Sequence, residues 1–555
     1  MYCDKENVNI LTDLLVQSGV KHVVVCPGSR NAPLVHNFSQ HPQLICHPVT
    51  DERSAGFMAL GIALQTQCNM VAVCVTSGSA LLNLIPAIAE AAYQKCGLIV
   101  ISADRPTQWI DQLDGQTIAQ PGALHQFVSK TVDLPEPNDE EESWYCNRLV
   151  NEAITTLQRT NKPVHINVPI SEPFFDFNTI VLAKQRIVRY VNWSIEPEKE
   201  AFKATIKDCR KPMLVFGQMP FGEFPSSTDK ADVVALYEQL SANTEENSMV
   251  DQLIFAIEND TTGYNPDLLV YFGGHSASKR LRKFMRQLPE DCVIVMVDED
   301  GELKDVSKNA SYLIQGKSKE VAAEILNLFN KENACIDQEF LTRWKELKAR
   351  IEEKHQEFQP AYSSMKAVKL FEENYKDGLV FYANSMSVRL GAIYSDKHYG
   401  YCNRGINGIE GSLSTAAGAA LSLQETSKQN VYCIIGDLSF FYDENALWQQ
   451  QLSGNFRILL LNNNEGAIFR NLKGLEASPA REGIISAHHN LTAEGICQQF
   501  AISYKQINDD SELKKGIDWL MTAESNRPVV LEVITKAEED ERVYKEYYKA
   551  IAARS

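Results

Sequence analysis

Short runs of consecutive apolar residues, rich in valine and isoleucine, alternate along the chain with longer segments in which apolar residues recur at helical spacing. An uninterrupted apolar run of about four to eight residues is typical of a parallel strand that is buried on both faces. Such runs occupy 22–26, 70–75, 98–101, 164–168, 213–216, 268–272, 293–297, 379–382, 431–435, 458–461 and 529–534. Strands that alternate with helices in this way predict an α/β fold built from doubly wound parallel sheets.

Two segments interrupt this alternation and divide the strands into three groups. Residues 175–200 follow a proline-rich exit from the first group, and residues 339–365 form a charged, helical stretch rich in Glu and Lys. We therefore predict three α/β domains, at 1–180, 181–355 and 356–555, each long enough to bury a core of its own.

The chain is acidic, because 72 Asp and Glu residues outnumber 54 Lys and Arg residues and leave a formal net charge of −18. This balance disfavours a nucleic acid or an anionic membrane surface as a partner. No apolar run approaches the roughly 18 residues that span a bilayer, and no basic segment followed by an apolar one marks a secretory signal. The 13 cysteines contain no Cys-x-x-Cys pair, so we expect reduced thiols and a cytoplasmic protein.

Three common motifs for phosphate binding or nucleophilic catalysis are absent from the sequence. No Gly-x-Gly pair occurs, which excludes the Rossmann dinucleotide fingerprint. Gly316-Lys317-Ser318 has the ending of a Walker A loop, but Ser311 stands where that loop begins with glycine. No Gly-x-Ser-x-Gly elbow is present either. The predicted sheets therefore indicate a different chemistry.

Polar side chains follow two consecutive apolar runs in the third predicted domain. Gly436-Asp437 comes directly after one run, and Asn462-Asn463 comes directly after the next. Asp437 and Asn463 are 26 positions apart, the length of one strand–helix–strand unit, so both should emerge at the carboxyl edge of the sheet. A carboxylate, an amide oxygen and a nearby backbone carbonyl form the hard oxygen site that Mg²⁺ prefers.

This pair of motifs resembles the thiamine-diphosphate-dependent enzyme family. The resemblance implies thiamine diphosphate and Mg²⁺ or Mn²⁺ as cofactors, with Asp437, Asn463 and the main-chain carbonyl of Glu465 as metal ligands. Glycine is common at position 465 in such enzymes, so the direction of the Glu465 side chain is left open. The resemblance also implies that Glu52, at a predicted helix start, hydrogen bonds N1′ of the cofactor's aminopyrimidine and promotes its reactive, deprotonated form.

Six sequence blocks narrow the resemblance within that family. They lie at 26–34, 51–54, 75–80, 102–106, 383–389 and 403–411. Together they are similar to the synthases of menaquinone biosynthesis, across all three predicted domains. Two departures from the usual pattern are Glu410, where Asp is usual, and Asp114-Gly115-Gln116. The resemblance implies a transferase that decarboxylates 2-oxoglutarate and adds the remaining four-carbon unit to isochorismate by a conjugate, Stetter-like addition.

The resemblance also assigns roles to individual residues of this chain. The residues expected to act in catalysis are Glu52, Ser29, Gln116 and Ser385. The residues expected to bind the substrate carboxylates are Arg30, Arg105, Lys279, Arg280, Arg389 and Arg404. The residues expected to hold the cofactor are Glu52, Ser77, Gly408, Ile409, Gly436, Asp437, Leu438, Ser439 and Asn463. In this family the cofactor lies between the first domain of one subunit and the third domain of another, which implies a homodimer or a homotetramer.

Two alternative functions and one structural alternative stay open at this point. Another thiamine-diphosphate enzyme, such as an acetohydroxyacid synthase or a 2-oxo acid decarboxylase, should have a flavin-binding central domain or a small apolar acceptor pocket. The many arginines favour dicarboxylate substrates instead. A non-catalytic relative should lack Glu52 or Asp437, and both are present. Lys279 and Arg280 could equally belong to a solvated face of a basic helix.

Overall fold

The structure is a computed structural model that describes residues 1–66, 70–225, 232–241, 249–330, 335–395, 398–424, 429–472 and 474–552. Its residues fall into two units with dense internal contacts. Unit 1 comprises Met1–Thr205 and Val293–Lys317, and unit 2 comprises Ile206–Cys292 and Ser318–Ser555. The three predicted domain boundaries stay a prediction.

A parallel sheet forms the centre of the first part of unit 1. Its strands are β1 (His22–Val25), β2 (Ile45–Pro48), β3 (Val71–Val75), β4 (Leu98–Asp104), β5 (Lys130–Asp133) and β6 (Val164–Pro169). They pair in the order β2-β1-β3-β4-β6-β5, and every pairing is parallel. The helices around it are α1 (Glu6–Gln17), α2 (Ala32–Gln40), α3 (Glu52–Thr66), α4 (Ser79–Asn83), α5 (Ile85–Tyr93) and α6 (Glu140–Thr160).

Alternate residues of the central strands enter two hydrophobic cores, one on each face of this sheet. Val23 packs in the core that includes α1, α2 and α6, whereas Val24 packs in the core that includes α3 and α5. All five residues of β3 are buried, which explains why its sequence lacks polar alternation. Each fully buried valine stabilises the fold by about 1.5–3 kcal/mol. Helices on both faces confirm the predicted doubly wound arrangement.

The strands between residues 189 and 315 are divided between the two units. Unit 1 holds β7 (Arg189–Asn192), α7 (Glu196–Ile206, which ends at the boundary), β11 (Val293–Asp298) and β12 (Tyr312–Gln315). Unit 2 holds β8 (Pro212–Phe216), β9 (Val234–Tyr237), α8 (Val250–Ile257), β10 (Leu268–Phe272), α9 (Lys279–Arg286) and α10 (Ser318–Leu328). Within the units the strands pair in parallel, in the orders β7-β12-β11 and β9-β8-β10.

A second six-stranded parallel sheet lies in unit 2. Its strands are β13 (Leu379–Tyr382), β14 (Gly400–Tyr401), β15 (Val431–Gly436), β16 (Phe456–Asn462), β17 (Ser503–Ile507) and β18 (Val529–Ile534). They pair in the order β14-β13-β15-β16-β18-β17. The accompanying helices are α11 (Gln338–Glu357), α12 (Ser364–Asn374), α13 (Met386–Tyr394), α14 (Ser412–Gln424), α15 (Asp437–Tyr442), α16 (Glu494–Gln499), α17 (Asp510–Thr522) and α18 (Ala537–Ala552).

The carboxyl ends of β15 and β16 lie side by side at one edge of this sheet. The two strands are paired in parallel along their whole length, with Gly436 opposite Leu461. Both strands are buried because helices cover the sheet, and the residue that follows each strand is polar: Asp437 after β15 and Asn463 after β16. Asp437 and Asn463 therefore emerge together, as the sequence predicted.

The eleven predicted apolar runs all correspond to strands, and the parallel α/β class is confirmed. In the described part of the chain, the seven strands that the pattern missed are β2, β5, β7, β9, β12, β14 and β17. Most of them lie at the end of a strand order and are partly exposed, as β17 is. An edge strand needs no continuous apolar run, so its sequence gives little signal. Among the described residues, no helix has both the length and the apolar character needed to cross a membrane.

Candidate active site

A cavity of about 160 Å³ lies in unit 2, where residues that follow β13, β15 and β16 form much of the wall. Further wall residues come from α12, α13 and α18. The wall residues with a predicted role are Ser385, Ile409, Gly436, Asp437, Leu438, Ser439, Asn463 and Glu465. The structure thus brings together four separate segments of the sequence. Their individual roles stay predictions.

Asp437 is the first residue of α15, and its side chain is almost completely buried. Its Oδ1 accepts the main-chain N–H of Leu438 at 2.7 Å, and its Oδ2 accepts the main-chain N–H of Asn463 at 3.1 Å. The same Oδ2 lies 3.4 Å from Nε2 of His489. These contacts turn the carboxylate toward the end of the neighbouring strand, so one acidic and one amide side chain share a small space.

The amide of Asn463 is oriented by Asp540 on α18. Its Nδ2 donates to Asp540 Oδ2 at 2.9 Å, and the same carboxylate also accepts hydrogen bonds from Ser364 and Thr535. Burial raises the pKa of Asp540, against the effect of these hydrogen bonds. Because a carboxylate accepts and does not donate, the contact fixes which end of the amide carries the oxygen. That oxygen has a long contact of 3.4 Å with the N–H of Glu465, which leaves capacity for a metal.

The Glu465 side chain, whose direction the sequence left open, forms an ion pair. Its carboxylate is 5% exposed and contacts the guanidinium of Arg470 through both oxygens. Arg470 Nη2 also lies 2.8 Å from Glu538 on α18. A direct hydrogen bond to Glu465, together with both carboxylates, raises the pKa of Arg470. The side chain is therefore held by the protein, while the main-chain carbonyl accepts the N–H of Ala467 at 3.0 Å.

The oxygen atoms of this loop fit a hard divalent cation. Asp437 supplies a carboxylate oxygen and Asn463 an amide oxygen, and the Glu465 carbonyl keeps a second lone pair beside its hydrogen bond. Mg²⁺ accepts such mixed oxygen sets and completes its coordination with phosphate oxygens and water. No group of three His, Cys, Asp or Glu side chains among the described residues is arranged for a metal.

Asn384, which follows β13, organises the loop that carries Arg404 and Gly408. Its Nδ2 donates to the carbonyl oxygens of Asn403 at 2.8 Å and of Gly408 at 2.7 Å. Its Oδ1 accepts Nη1 of Arg404 at 3.0 Å. The neighbouring Ser385 has a φ of +73°, a left-handed conformation that is costly for serine and that clusters at functional sites. Ser385 lies at the start of α13 and in the cavity wall.

A group of four basic side chains lies in unit 2, and its members are Lys279, Arg282, Arg389 and Arg404. Burial, followed by repulsion from Arg389 and Arg282, lowers the pKa of Lys279. Burial is also the main reason for the lowered pKa of Arg404, and Arg389 and Arg282 lower it further. Within the described residues, none of the four forms an ion pair. Such a cluster favours anions, and it includes Arg282, which the sequence did not assign to a site.

Arg280 has a different environment from the adjacent Lys279. Its Nη1 lies 2.5 Å from Asp251, and its guanidinium stacks on the rings of Phe255 and Tyr548 at 4.8 and 4.5 Å. Against the effect of burial, Asp251 and two nearby tyrosines raise the pKa of Arg280. The structure therefore does not bring Arg280 into the basic group, and its predicted contact with substrate would require it to leave these partners.

Glu238 holds the segment before α9 next to Arg404. Its carboxylate accepts the hydroxyl of Ser276 at 2.9 Å and the main-chain N–H groups of Ala277 and Ser278 at 2.7 and 3.0 Å. Arg404 Nη2 donates to the Ser276 carbonyl at 3.3 Å. Burial raises the pKa of Glu238, although these hydrogen bonds favour its ionised form. Glu238 thus helps to fix the main-chain segment to which Arg404 of the basic group donates a hydrogen bond.

In unit 1, Glu52 is the first residue of α3 and is partly exposed. Its Oε2 accepts Nδ2 of Asn83 over 3.4 Å. Burial and, to a smaller extent, the charges of Glu52 and Asp51 raise the pKa of Cys26 to about 12. Glu52 therefore lies near the loop that follows β1, which begins at Cys26 and carries Ser29.

The loop after β1 contains one exposed and one buried site candidate. Ser29 is exposed, whereas Arg30 is 4% exposed and donates to the Ile170 carbonyl at 2.8 Å. Arg30 also pairs with Glu172 at 3.1 Å and stacks on a phenylalanine ring. A side chain at Gly28 would collide with Thr76, 2.4 Å away, so glycine allows the loops after β1 and β3 to approach.

The loop after β3 contacts both Gln120 and the site candidate Gln116. The main-chain N–H of Gly78, next to the buried Ser77, donates to Gln120 Oε1 at 2.6 Å. The backbone of Gln116, which has a φ of +57°, packs against Gly78. Arg105 lies in the same region, with Nε 2.6 Å from Asp114 Oδ2 and Nη2 3.0 Å from the Gly115 carbonyl.

The free energy of unfolding should depend on the ionisation of Asp104 in this region. Burial raises the pKa of Asp104 from 3.8 to about 6, against the hydrogen bonds from Asn167 and Arg105. The folded protein then binds this proton more tightly than the unfolded chain does. The contribution of the Asp104 side chain to the free energy of unfolding is therefore complete below pH 3.8, and it is lost as the pH rises through about 6. As the pH rises from about 4 to about 7, we expect the free energy of unfolding of Asp104→Asn to increase by up to about 3 kcal/mol relative to that of the wild type.

Urea denaturation at the two pH values measures this difference. Asp518→Asn, at an exposed position of α17, is the matched control and should follow the wild type. A stability difference between Asp104→Asn and the wild type that does not change with pH would contradict the proposed ionisation.

Several residues that organise the site were not found from the sequence. They are Gln120, Glu238, Arg282, Asn384 and Asp540. Asn384 had a usable signal, because it is a polar residue two positions after the apolar run 379–382. Asp540 and Glu238 had no such sequence signal, since each accepts hydrogen bonds from residues that are distant in the sequence.

Two family models match the chain. Residues 6–127 match the N-terminal TPP binding domain of thiamine pyrophosphate enzymes, and residues 386–533 match the C-terminal TPP binding domain. The first match includes Glu52 and the second includes the loop with Asp437 and Asn463. The cofactor class expected from the sequence is thereby confirmed at the level of the domain family.

Curated relatives match the chain over nearly its full length. A 2-succinyl-5-enolpyruvyl-6-hydroxy-3-cyclohexene-1-carboxylate synthase from Bacteroides fragilis is 40% identical and covers 99% of both chains. Proteins of the same name from Bacteroides thetaiotaomicron and Porphyromonas gingivalis are 39% and 32% identical. The alignments cover 99% of this chain and 99% of the former relative, and 100% of this chain and 98% of the latter.

Proposed function

Because the chain belongs to the family of 2-succinyl-5-enolpyruvyl-6-hydroxy-3-cyclohexene-1-carboxylate synthases, we propose that it decarboxylates 2-oxoglutarate and joins the remaining four-carbon unit to isochorismate. One carbon–carbon bond breaks to release CO₂ and one forms to give the family's product, so no oxidant or reductant is needed. The observation that carries this proposal is the cavity at the ends of β15 and β16, which collects the proposed metal ligands.

We propose that thiamine diphosphate and Mg²⁺ or Mn²⁺ bind at this cavity. Asp437, Asn463 and the Glu465 carbonyl would hold the metal, and Gly436, Leu438 and Ser439 would surround the diphosphate. When bound, thiamine diphosphate supplies a nucleophilic carbon and an electron sink for decarboxylation. The buried Asp437 carboxylate gives this site a negative charge that balances the divalent ion.

The protein's own acid–base group in this proposal is Glu52. Its carboxyl would hydrogen bond N1′ of the cofactor and hold or release a proton at that atom. Its position at the start of α3 places the side chain at the positive end of the helix dipole. Ser29, Gln116 and Ser385 are proposed to hydrogen bond the substrates.

Substrate selection is proposed to depend on the basic group of unit 2 and on arginines of unit 1. 2-Oxoglutarate and isochorismate each carry two carboxylates, so a site for them needs several cations. Lys279, Arg389 and Arg404 are near one another and lack carboxylate partners within the described residues. A site for a monocarboxylate would gain little from this repulsive arrangement, which favours the synthase over an acetohydroxyacid synthase or a simple decarboxylase.

We place this transferase in the cytoplasm. None of the twelve described cysteines forms a disulfide, which fits a reducing compartment. Burial raises the pKa of Cys74, Cys146 and Cys433 above their ordinary value, so these thiols would stay protonated and unreactive.

We further propose that the chain acts as a homodimer or an assembly of dimers. Large apolar side chains of α3 and α4 are exposed in unit 1, among them Phe57, Met58, Leu64 and Leu82. Phe57 and Met58 are only five and six positions from Glu52, so a partner that covers them would also enclose the proposed acid–base group. Exposed apolar groups of this kind mark interaction surfaces.

Light scattering should give at least twice the mass of one chain. Replacing both Phe57 and Met58 by Asp should shift the protein toward monomer and remove activity, because buried charge disfavours association. Tyr93→Asp is the matched control, since this apolar residue is also exposed but belongs to α5. An active monomer, in either the wild type or the double variant, would contradict the shared site.

The proposed function is tested by comparing donors and acceptors. The protein is incubated with thiamine diphosphate and Mg²⁺, and with 2-oxoglutarate or pyruvate, each in the presence and absence of isochorismate. We expect a succinylated adduct with 2-oxoglutarate and isochorismate together. Release of CO₂ without an adduct would indicate a decarboxylase. Absence of Mg²⁺-dependent cofactor binding in calorimetry would indicate a non-catalytic family member.

A further inference from the structure

The first turn of α18 contacts the loop after β16, which carries two of the three proposed metal ligands. α18 begins at Ala537, and this turn contains Glu538 and Asp540. Neither side chain is among the proposed ligands. Each side chain is nevertheless connected to one proposed ligand by a separate set of contacts, which we call a route: Asp540 to Asn463, and Glu538 to Glu465.

The first route joins Asp540 to Asn463. Asp540 accepts four hydrogen bonds: from Asn463 Nδ2 at 2.9 Å, from the Thr535 hydroxyl at 2.9 Å, and from the N–H and hydroxyl of Ser364 at 2.7 Å each. With all four groups donating, both carboxylate oxygens are used and the side chain is fixed. Asn463 can then turn its amide only at the cost of placing an oxygen against a carboxylate. Its ligand oxygen is therefore set before a metal arrives.

The second route joins Glu538 to Glu465 through Arg470. Arg470 is in the 3₁₀ turn Ala467–Asn471, directly after the loop. Its guanidinium binds the buried carboxylate of Glu465 through two nitrogens and lies 2.8 Å from Glu538. A bidentate Arg–carboxylate pair constrains both partners in angle as well as distance. The backbone of Glu465, whose carbonyl is the proposed third ligand, is thereby tied to α18.

We propose that Asp540 and Glu538 are positioning residues for the metal, which set its affinity by holding Asn463 and Glu465 in their ligating arrangement. The inference rests on the proposed function, because that function places the ion at these ligands. Partners of metal ligands typically change metal affinity by about 10- to 100-fold when they are removed. The competing interpretation is purely structural: Asp540 would only attach α18 to α12 through Ser364.

Calorimetric titration of Mg²⁺ into the full-length protein with saturating thiamine diphosphate separates the two interpretations. For Asp540→Asn we expect Mg²⁺ to bind about 10- to 100-fold more weakly, because an asparagine amide presents a donor to the donors of Asn463 and Ser364. Glu539→Gln is the matched control in the same turn, since Glu539 pairs with Arg542 on the helix surface. The control should bind Mg²⁺ as the wild type does.

A second variant keeps the proposal testable if Asp540→Asn does not fold. Glu538 is 65% exposed, so Glu538→Gln should keep the wild-type melting temperature and weaken Mg²⁺ binding by about threefold. Unchanged Mg²⁺ affinity in folded Asp540→Asn, or in Glu538→Gln if the former is unfolded, would overturn the inference. A wild-type protein that does not bind Mg²⁺ with the cofactor would instead overturn the proposed function.

Discussion

Replacing Glu52 by glutamine should lower the turnover number by about 10²–10⁴-fold, the usual contribution of a general acid–base group. Glutamine keeps the size and hydrogen-bonding reach of the side chain but cannot bind and release a proton. Glu52 is partly exposed, and its contact with Asn83 is long, 3.4 Å. The substitution should therefore leave the fold and the Mg²⁺ affinity unchanged and act on the chemical step.

The neighbouring Asp51→Asn variant is the control for Glu52→Gln. Asp51 accepts the main-chain N–H of Ser54 at 2.7 Å, a hydrogen bond that lowers its pKa and caps α3. Loss of this charge should lower the melting temperature slightly and leave the turnover number close to that of the wild type. Steady-state kinetics and thermal unfolding of both variants give the comparison. A Glu52→Gln protein with wild-type turnover would remove Glu52 from the proposed mechanism.

Replacing Asp437 by alanine should remove Mg²⁺-dependent cofactor binding. Asp437 is the one proposed ligand with a negative charge, and its carboxylate also accepts the N–H groups of Leu438 and Asn463. The loss of Mg²⁺ affinity should therefore exceed the roughly 10- to 100-fold loss that is caused by removing a residue that only hydrogen bonds a metal ligand. Activity should fall with it, because the diphosphate would lose its metal anchor.

Calorimetry with Mg²⁺ and thiamine diphosphate measures the effect of Asp437→Ala, and circular dichroism checks that the variant is folded. Asp437→Asn should be intermediate, since it keeps an oxygen but loses the charge. Asp518→Ala, at an exposed position of α17, should behave as the wild type. Cofactor binding that survives in folded Asp437→Ala would place the metal elsewhere.

The arrangement of Asp437 and Asn463 was predictable because it depends on local sequence. Each residue directly follows a buried apolar run, and parallel strands end at the same sheet edge. The separation of Lys279 from Arg280 could also have been predicted. Adjacent residues on a helix point in different directions, so Lys279 lies near Arg389 whereas Arg280 binds Asp251.

Other parts of the site depend on tertiary contacts that no local pattern encodes. Asp540 is 77 positions from Asn463, and its role appears only when α18 packs against the segment that follows β16. The ion pair of Glu465 with Arg470 likewise requires the 3₁₀ turn after the loop. The edge strands were missed for a related reason: they are short and partly exposed, so their sequences carry no continuous apolar run.

The most direct test of the proposed activity is the stoichiometry of CO₂ and adduct. 2-Oxoglutarate labelled with ¹³C at C1 is mixed with isochorismate, thiamine diphosphate, Mg²⁺ and the protein, and both products are quantified by mass spectrometry. The proposed reaction gives one labelled CO₂ for each molecule of unlabelled 2-succinyl-5-enolpyruvyl-6-hydroxy-3-cyclohexene-1-carboxylate. Labelled CO₂ that accumulates at the same rate without isochorismate, with free succinic semialdehyde as the other product, would contradict it.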